Sequence, residues 1–396
     1  MSSNDALAAA MAAGDIASNP HPVFEVMRET APVLPVDDSM VLVCRREEID
    51  ETFRHPDIFS SNKSAVDLQN VRPLIPLQID PPDHKKYRKV LDPLFSPHQM
   101  AALEEPITRL ANDLMDRFEG RDEIDFVADY SIPFPSQVFL TLLGLPLEDL
   151  PTFLDMKDGI IRPEYVTDTE QRSGVAIAHQ RATAQSIYDY FNQVLDEREA
   201  EPADDLLTRF LHTEVDGHSL SREDILDISF LFLIAGLDTV SASLDCVFAY
   251  LAQHPEQRQR LARDPEIIPR AVEELLRWET PVTGVTRIAM EDTTLSGCPI
   301  RKGQHVSLLL GSANTDDSEF GDAGVVRFER EPNRHLAFGG GIHRCLGSHL
   351  ARQELRIALR EWHRRIPEYS IRPGCTLSYT TGIRSIDHFP LVLGLR

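Results

Sequence analysis

The sequence contains little cysteine, and its cysteines do not form a recognisable set. Only five occur in 396 residues. Their number is odd, their spacings are long, and no CxxC pair is present. Disulfide frameworks and zinc sites use cysteines in even sets or at short, regular spacings, so the composition argues against both. A reducing compartment fits best, and we expect a cytoplasmic protein.

Positive charge and uncharged apolar runs are also scarce. Lys and Arg total 40 against 63 Asp and Glu, which gives a formal net charge of −23. So acidic a chain repels phosphates, which argues against nucleic-acid binding. The most apolar run, 225–240, still contains Asp227 and Asp238, whereas a membrane-spanning helix needs about 20 apolar residues without charge. The first twenty residues lack the basic segment of a signal peptide and contain Asp5 and Asp15, so we expect no membrane anchor there.

What remains is a globular composition with a mainly helical pattern. Apolar spacing predicts helices over most of the chain after residue 81, the longest from about 221 to 254. Its centre, ISFLFLIAGL, is apolar on every face, which is typical of a helix buried on all sides. Strand-like alternation is confined to 33–43, 285–311 and 370–395. We therefore predict a mainly α fold with a minor β part, in one domain over 1–396 whose residues 1–20 form a flexible N-terminus.

Three consecutive glycines precede one of the cysteines, in the segment FGGGIHRCLG at 338–347. Glycines let the backbone turn tightly and approach a flat ligand closely. A helix is predicted from about 346 to 365, and its N-terminus would stabilise a thiolate at Cys345. A thiolate beside an aromatic residue and a glycine loop suits axial ligation of haem iron. The alternative is an ordinary glycine-rich turn before a helix with a buried cysteine.

An acid and an alcohol interrupt the apolar centre of the long helix, in the segment AGLDT at 235–239. A buried carboxylate such as Asp238 needs a partner or a function. Gly236 costs about 1 kcal/mol relative to alanine in a helix, and its missing side chain would leave room for a ligand. Asp238 and Thr239 could then relay protons into that space. The alternative is a helix kink in which Thr239 bonds back to a carbonyl.

Two further motifs place charged residues on helix faces. Glu274 and Arg277 are three residues apart and can pair; the alternative is an exposed surface ion pair, which contributes little. His84 and Arg88, four residues apart, could clamp a carboxylate or phosphate, and the alternative is a solvated face. The same stretch carries a basic cluster that contrasts with the acidic chain: Lys85, Lys86 and Lys89.

Taken together and in this order, the four motifs resemble the cytochrome P-450 superfamily of haem-thiolate monooxygenases, in its soluble bacterial class. The loop matches the family pattern Phe-x-x-Gly-x-His/Arg-x-Cys-x-Gly at every defined position. ExxR follows AGxDT by about 35 residues, and the cysteine follows ExxR by about 70. The resemblance runs from about residue 20 to the C-terminus. It implies the family's fold, with haem b (iron protoporphyrin IX) between a long central helix and the cysteine loop.

The resemblance also implies how the haem is held. Cys345 would be the proximal thiolate ligand of the iron, and its electron donation would favour O–O cleavage. Phe338 would pack beside that cysteine, and Gly347 would let the next helix approach the haem. The haem propionates would be held by His84, Arg88, Arg287 and His343.

The central helix and the pair behind the haem take roles from the same resemblance. Thr239 would hydrogen-bond the bound dioxygen species, and Asp238 would gate proton delivery. Glu274 and Arg277 would form a structural pair. An apolar substrate pocket that also includes Thr239 would be walled by Leu231, Ile234, Ala235, Thr283, Val285 and Ile383.

Two arginines depart from a camphor-oxidising member of the family. Arg72 and Arg384 stand at positions that face substrate in that relative, which would suit an anionic or strongly accepting substrate such as a carboxylic acid. The alternative is that Arg72 points to solvent from a mobile loop and that Arg384 pairs elsewhere.

In this family the proximal face docks the electron donor. A basic patch of Lys85, Lys86, Lys89 and Arg344 on an acidic protein suits an acidic [2Fe–2S] ferredoxin that is steered by charge. We expect no fused flavin domain, so a separate NAD(P)H-dependent ferredoxin reductase is implied, and a monomer is the family default.

The activity implied is insertion of one oxygen atom of O2 into a C–H bond, with water as the other product. The substrate would be small and hydrophobic: terpenoid-like, or a small aromatic or aliphatic acid. One alternative is a peroxide-driven peroxygenase, a class that usually lacks the acid–alcohol pair. The other is a non-catalytic haem-binding sensor or carrier.

Overall fold

A computed structural model describes residues 8, 10–12, 14–170, 173–215 and 217–394, which fall into two compact units. The first comprises Met1–Ser60, Pro97–Phe134 and Thr239–Arg396, and the second comprises Ser61–Ser96 and Pro135–Asp238. The single domain over 1–396 stays a prediction. The predicted flexible N-terminus falls partly on 1–7, 9 and 13, which lie outside the described residues.

A mixed five-stranded sheet forms one part of the first unit. Valine-rich strands suit this sheet because β-branched side chains pack well on a pleated surface. The second strand pairs antiparallel with the first, as Leu34 opposite Leu42, and parallel with the third, as Val41 beside Val306. The strands, in spatial order, are Val33–Pro35, Met40–Val43, His305–Leu308, Val285–Ala289 and Phe59–Ser60.

The other strands are short. In the first unit, Tyr369–Ile371, Pro390–Leu393 and Glu123–Asp125 form a three-stranded antiparallel sheet, and Thr293–Leu295 pairs with Cys298–Ile300 across a turn. In the second unit, Glu214–Val215 pairs with His218–Ser219.

Helices make up most of both units, so the predicted mainly α fold with a minor β part is confirmed. Those of the first unit are Pro20–Thr30, Arg46–Arg54, Pro97–Ala101, Glu104–Asp116, Pro255–Arg263, Ile268–Glu279, Leu310–Asn314 and Ser348–Arg365. Those of the second unit are Asp83–Leu91, Leu150–Ile161, Pro163–Thr167, Gly174–Ala200 and Leu206–His212. Two more, Pro133–Leu143 and Arg222–Gln253, pass from one unit to the other.

The helix Arg222–Gln253, called the central helix below, agrees with the prediction for 221–254. It starts in a reciprocal cap: the Asp224 N–H donates to Ser221 Oγ at 3.1 Å, and the Ser221 N–H donates to Asp224 Oδ2 at 2.9 Å. Within the described part of the chain it is the one helix long and apolar enough to cross a membrane, and 72% of its most apolar 18-residue window is buried inside the protein. That burial is expected of a core helix.

The segment 98–119, within the part of the chain predicted to be mainly helical, forms two helices, Pro97–Ala101 and Glu104–Asp116, with a turn between them. Pro106 has no N–H to donate one turn back, so it is tolerated only in the first turn of a helix. The chain therefore begins a new helix just ahead of it.

Candidate active site

The loop before Cys345 belongs to the first unit and turns at glycines. Gly339 and Gly341 have φ of +67° and +62°, in the left-handed region that favours glycine. A Cβ on Gly341 would also lie 2.7 Å from the backbone oxygen of Phe53. The loop is closed by the Cys345 N–H, which donates to the Phe338 carbonyl oxygen at 2.9 Å. The sequence FGGG thus builds a tight turn that ends at the cysteine.

Cys345 is the exposed cysteine of this loop. The following helix has Gly347 as its N-cap and begins at Ser348, so the predicted start at 346 was two residues early. Two other cysteines are buried and form thiolates less readily. Burial raises the pKa of Cys44 to about 12 and also raises the pKa of Cys246, because a buried thiolate loses its solvation.

Glu274 and Arg277 form a fully buried ion pair, with 0% of either side chain exposed. Arg277 donates to both carboxylate oxygens, from Nε at 2.9 Å and from Nη2 at 2.8 Å. Arg330, which the sequence reasoning missed, donates from Nε to both oxygens at 3.0 Å. Asn333 Nδ2 and the Arg327 N–H also donate to Glu274, at 3.0 Å and 2.9 Å. The pair is therefore the centre of a buried network rather than a surface ion pair.

Arg277 also fixes the chain that leads to the cysteine loop. Its Nη1 donates to the carbonyl oxygens of Asn314 at 2.8 Å and Ala323 at 2.9 Å. The Asn314 side chain in turn accepts the Leu336 N–H at 2.6 Å, two residues before Phe338. The helix Ile268–Glu279 is thereby tied to the backbone that leads into the cysteine loop.

Asp238 is buried at the end of the second unit, with two cations that the sequence reasoning did not identify. Arg162 Nη2 donates to its carboxylate oxygens at 3.1 and 3.2 Å, and Lys157 Nζ lies 3.4 Å from Oδ1. Both cations also contact Asp158, at 2.9 Å from Lys157 and 3.3 Å from Arg162. Thr239, the next residue of the same helix, begins the first unit. The carboxylate thus has the partners that its burial requires.

Phe139 fills the space beside Gly236. A Cβ on Gly236 would lie 2.6 Å from Cδ2 of the Phe139 ring, so the expectation that this glycine leaves room for a ligand was wrong. The glycine instead admits an aromatic ring of the second unit. Its neighbour Ala235 is exposed although most of the central helix is buried.

The chain is similar to known proteins over most of its length. The family model "Cytochrome P-450" matches residues 16–362. The probable cytochrome P-450 127A1 of Sinorhizobium fredii is 35% identical over 84% of this chain and 78% of its own length. The steroid C26-monooxygenase of Mycolicibacterium smegmatis is 32% identical over 87% and 85%. A Bacillus megaterium cytochrome P-450 solved in complex with testosterone superposes with a TM-score of 0.86 at 30% identity, covering 100% of both chains.

The chain belongs to the cytochrome P-450 family. It is a monooxygenase of the soluble bacterial class, and its cofactor is haem b. The class uses O2, a hydrophobic substrate and redox partners.

The first unit of this cytochrome P-450 has a donor set that fits a haem. Cys345 offers a soft thiolate on a loop whose glycines admit a flat group. Arg287, on the strand Val285–Ala289, is buried, and its guanidinium carbon lies 5.7 Å from the centroid of Phe53. The same Phe53 packs against Gly340 and Gly341 of the cysteine loop. His343 ends the short turn Gly341–His343 of that loop and is half-buried.

The second unit holds most of the other residues that the family resemblance assigns to the haem and to the donor protein. His84 is buried on the helix Asp83–Leu91, and its pKa is lowered by burial and then by the charge of Arg88. Arg88 Nε lies 2.7 Å from Asp92 Oδ1. Lys85 and Lys89 are exposed on the same helix, whereas Lys86 lies over the Tyr87 ring at 5.2 Å. Arg344 is exposed in the first unit.

The predicted pocket residues are distributed over both units. Leu231 and Ile234 are nearly buried on the central helix in the second unit. In the first unit, the Thr283 N–H donates to the Gly382 carbonyl oxygen at 3.2 Å, and Val282 pairs with Ile383 in an isolated bridge. This contact brings Thr283 and Ile383 together, and Val285 follows two residues later as the start of a strand.

Arg384 pairs with another residue instead of facing a substrate, which agrees with the alternative interpretation given above. Its side chain is 3% exposed, and Nη1 donates to the Glu279 carbonyl oxygen at 2.5 Å and to Glu279 Oε2 at 3.1 Å. Its Nε donates to the Ala17 carbonyl oxygen at 2.6 Å. A buried cation with its own carboxylate has no need of a substrate anion.

Arg72 does not point freely to solvent. Its Nε donates to Asp227 Oδ2 at 2.8 Å, and its guanidinium lies 5.0 Å from the Tyr188 ring centroid. The Tyr188 hydroxyl donates to the other oxygen of the same carboxylate at 2.9 Å. Neither interpretation of Arg72, as a substrate contact or as a solvent-exposed side chain, predicted this ion pair, because Asp227 is 155 residues away along the chain.

Proposed function

We propose that this cytochrome P-450 hydroxylates a small hydrophobic substrate with electrons from an acidic [2Fe–2S] ferredoxin and its NAD(P)H-dependent reductase. We place it in the cytoplasm as a monomer. The observation that carries the proposal is the Asp238 carboxylate, which is buried with Lys157 and Arg162 and is followed directly by Thr239. Such a pair supports proton delivery during O2-dependent turnover, which a peroxide-driven enzyme does not need.

The haem, when bound, supplies the activation of O2 and the oxidation of the C–H bond. We assign its thiolate ligand to Cys345 and its contacts to Phe338 and Gly347 on the same loop. Hydrogen bonds to its propionates are assigned, from the family, to His84, Arg88, Arg287 and His343. Glu274 and Arg277 take no part in the chemistry and hold the backbone that leads to the loop.

Asp238 has the environment of a gated proton carrier. Two cations share its carboxylate, and both cations can turn to Asp158, which is 39% exposed. Release from Lys157 and Arg162 would let Asp238 take a proton from solvent and pass it to the Thr239 hydroxyl. The Thr239 hydroxyl would then be the proton donor for the O2 chemistry that the haem would supply. A positioned acid of this kind contributes about 10²–10⁴ in rate.

An acidic ferredoxin is favoured by the sign of the local charge. The helix Asp83–Leu91 presents two exposed lysines, Lys85 and Lys89, on a chain of net charge −23. From the family resemblance we assign a docking role to Lys86 and Arg344 as well. Electrostatic steering of this kind raises association rates and weakens with salt.

A terpenoid-like or other compact apolar substrate is favoured by the side chains assigned to the pocket. Leu231, Ile234, Ala235, Thr283, Val285 and Ile383 carry no charge. The relatives support an apolar polycyclic class, since one is named for a steroid and another was solved with testosterone. A small aromatic or aliphatic acid stays within the proposal through Arg72, although Asp227 already neutralises that cation.

Reconstitution tests this function. The purified enzyme, an acidic [2Fe–2S] ferredoxin, its reductase and NADH are incubated with ¹⁸O2 and a panel of terpenoids, steroids and small acids chosen by spin-state shift. We expect a product that carries one ¹⁸O atom, formed at a rate that falls with salt and in Lys85→Glu. Turnover with hydrogen peroxide and none with ferredoxin would overturn the proposal in favour of a peroxygenase. Haem binding without turnover over the whole panel would favour a sensor or carrier.

A further inference from the structure

An arginine is stacked on the phenylalanine that begins the cysteine loop. The guanidinium carbon of Arg352 lies 4.3 Å from the centroid of the Phe338 ring. Arg352 stands on the helix Ser348–Arg365, one turn after that helix begins, and its side chain is 15% exposed. A guanidinium at this distance from an aromatic face is attracted by the quadrupole of the ring. None of the roles assigned above uses Arg352.

Glu273 fixes the orientation of that guanidinium. Arg352 Nε donates to Glu273 Oε1 at 2.7 Å, and Nη2 donates to Oε2 at 2.9 Å. This two-bond fork fixes the plane of the guanidinium as well as its position. Glu273 directly precedes Glu274, the centre of the buried network, so the helix Ile268–Glu279 carries both carboxylates. Although burial opposes it, hydrogen bonds from His335 and Arg352 lower the pKa of Glu273 to about 2, so the carboxylate stays charged.

His335 completes the arrangement from the loop side. The Ala337 N–H donates to His335 Nδ1 at 3.2 Å, so the ring proton lies on Nε2, which donates to Glu273 Oε2 at 3.1 Å. The side chain of His335 is 2% exposed, and its ring centroid lies 6.0 Å from that of Phe338. The chain entering the loop and the helix leaving it thus meet on one carboxylate.

We propose that Glu273, His335 and Arg352 form a positioning unit for the thiolate of Cys345. Arg352, held by Glu273, rests on Phe338, and the carbonyl oxygen of Phe338 accepts the N–H of Cys345 at 2.9 Å. The unit therefore fixes both ends of the loop that presents the cysteine. It rests on the assignment of Cys345 as the haem ligand, and its residues are positioning residues rather than catalytic ones.

Arg356 separates the effect of geometry from that of charge. It lies one turn further along the same helix, 3.9 Å from the same Glu273 oxygen, and it is 44% exposed. Its removal takes one positive charge from the same carboxylate and leaves the contact with Phe338 in place. Arg356→Ala is therefore the matched control for Arg352→Ala.

The test uses the haem-loaded enzyme after reduction with dithionite and addition of carbon monoxide. The Soret band distinguishes a thiolate ligand from a neutral thiol, and its conversion from the first form to the second is followed in mild urea. We expect Arg352→Ala to convert about tenfold faster than wild type. Arg352→Lys, which keeps the charge without the planar fork, should convert nearly as fast, and Arg356→Ala should stay within about twofold of wild type. Melting followed by far-UV circular dichroism should change little in all three.

Each outcome decides a different claim. Equal acceleration in Arg352→Ala and Arg356→Ala, or no acceleration in either, overturns the positioning unit. Acceleration that only parallels a lower melting temperature also overturns it, since that is general destabilisation. If Arg352→Ala yields no haem-loaded protein, Arg352→Lys and Glu273→Gln must convert faster than Arg356→Ala, or the inference fails. A wild-type enzyme without the thiolate band would instead overturn the assignment of Cys345.

Discussion

Replacing Arg330 by methionine removes one cation from the buried carboxylate of Glu274. Arg330 Nε contacts both oxygens of Glu274 at 3.0 Å, and its side chain is 4% exposed. Its other nitrogens donate to the carbonyl oxygens of Gly321 at 2.7 Å, Asp322 at 3.0 Å and Val325 at 2.8 Å. The variant therefore leaves a carboxylate of 0% exposure with fewer donors, together with backbone acceptors that lose theirs.

The expected cost follows from that burial. Breaking a buried ion pair costs about 3–5 kcal/mol, because the remaining charge is uncompensated. Arg277 still contacts both oxygens of Glu274, so we expect the lower half of this range, about 3–4 kcal/mol. The double variant Arg330→Met/Glu274→Gln should cost less than the sum of the single variants, since the unpaired charge is then gone.

Arg327→Met is the matched control. Arg327 reaches Glu274 through its backbone N–H, which the substitution retains, while its side chain is 47% exposed. It should cost less than about 1 kcal/mol. Urea unfolding of the haem-loaded protein, followed by circular dichroism and by loss of the Soret band, measures the wild type, the three single variants and the double variant. Arg330→Met and Arg327→Met with equal unfolding midpoints would refute this reasoning.

Three further predictions concern the proton carrier, the loop and a buried histidine. Asp238→Asn should lower product formation about 10²-fold, and ferredoxin-driven turnover at the wild-type rate would contradict the role of Asp238. Gly341→Ala should destabilise the protein by about 1–3 kcal/mol, because the φ of Gly341 is positive and the Phe53 backbone oxygen is close. Gly321→Ala is the control: a Cβ added there meets nothing within 4 Å, so its effect should stay within about 0.5 kcal/mol. Equal unfolding midpoints for the two variants would exclude strain at Gly341. Burial, and then the charge of Arg258, lower the pKa of His363 from 6.5 to about 4, although the hydrogen bond to the Leu359 carbonyl opposes them. Between these two pH values the unfolded chain protonates His363 and the folded protein does not. The free energy of unfolding therefore decreases as the pH falls from 6.5 towards 4. Wild type should therefore lose about 2 kcal/mol more than His363→Gln between pH 7.5 and pH 5, and identical pH slopes in urea unfolding would contradict this sign.

Features carried by neighbouring residues could be predicted from the sequence. The central helix follows from an unbroken apolar run with Ser221 and Asp224 at its start, and both appear in its cap. The glycine loop follows from FGGG, whose positive φ angles require glycine. In both cases the information lies within a few residues, where sequence spacing determines geometry.

Partners distant along the chain could not be predicted in the same way. Lys157 lies 81 residues from Asp238, and Arg330 lies 56 residues from Glu274. Only the tertiary fold brings these residues together. A signal existed for Lys157, since a lysine stands among the apolar positions of the helix Leu150–Ile161, where an unpaired charge would be costly.

Charged helices and small residues were interpreted less well. The helix Arg46–Arg54, which lies before the part of the chain predicted to be helical, was missed because its many charged residues hide a narrow apolar face. At Gly236 the missing side chain was attributed to a ligand, whereas the Phe139 ring occupies the space. A single sequence contains no information about which neighbour fills the space beside a glycine.

The most direct test of the central claim is the absorption spectrum of the dithionite-reduced protein with carbon monoxide, for wild type and Cys345→Ser. We expect a strongly red-shifted Soret band in wild type and its loss in the variant, since a hydroxyl cannot replace the thiolate donor. A wild-type band typical of a neutral axial ligand, or a red-shifted band that survives in Cys345→Ser, would contradict the assignment of Cys345 as the haem ligand.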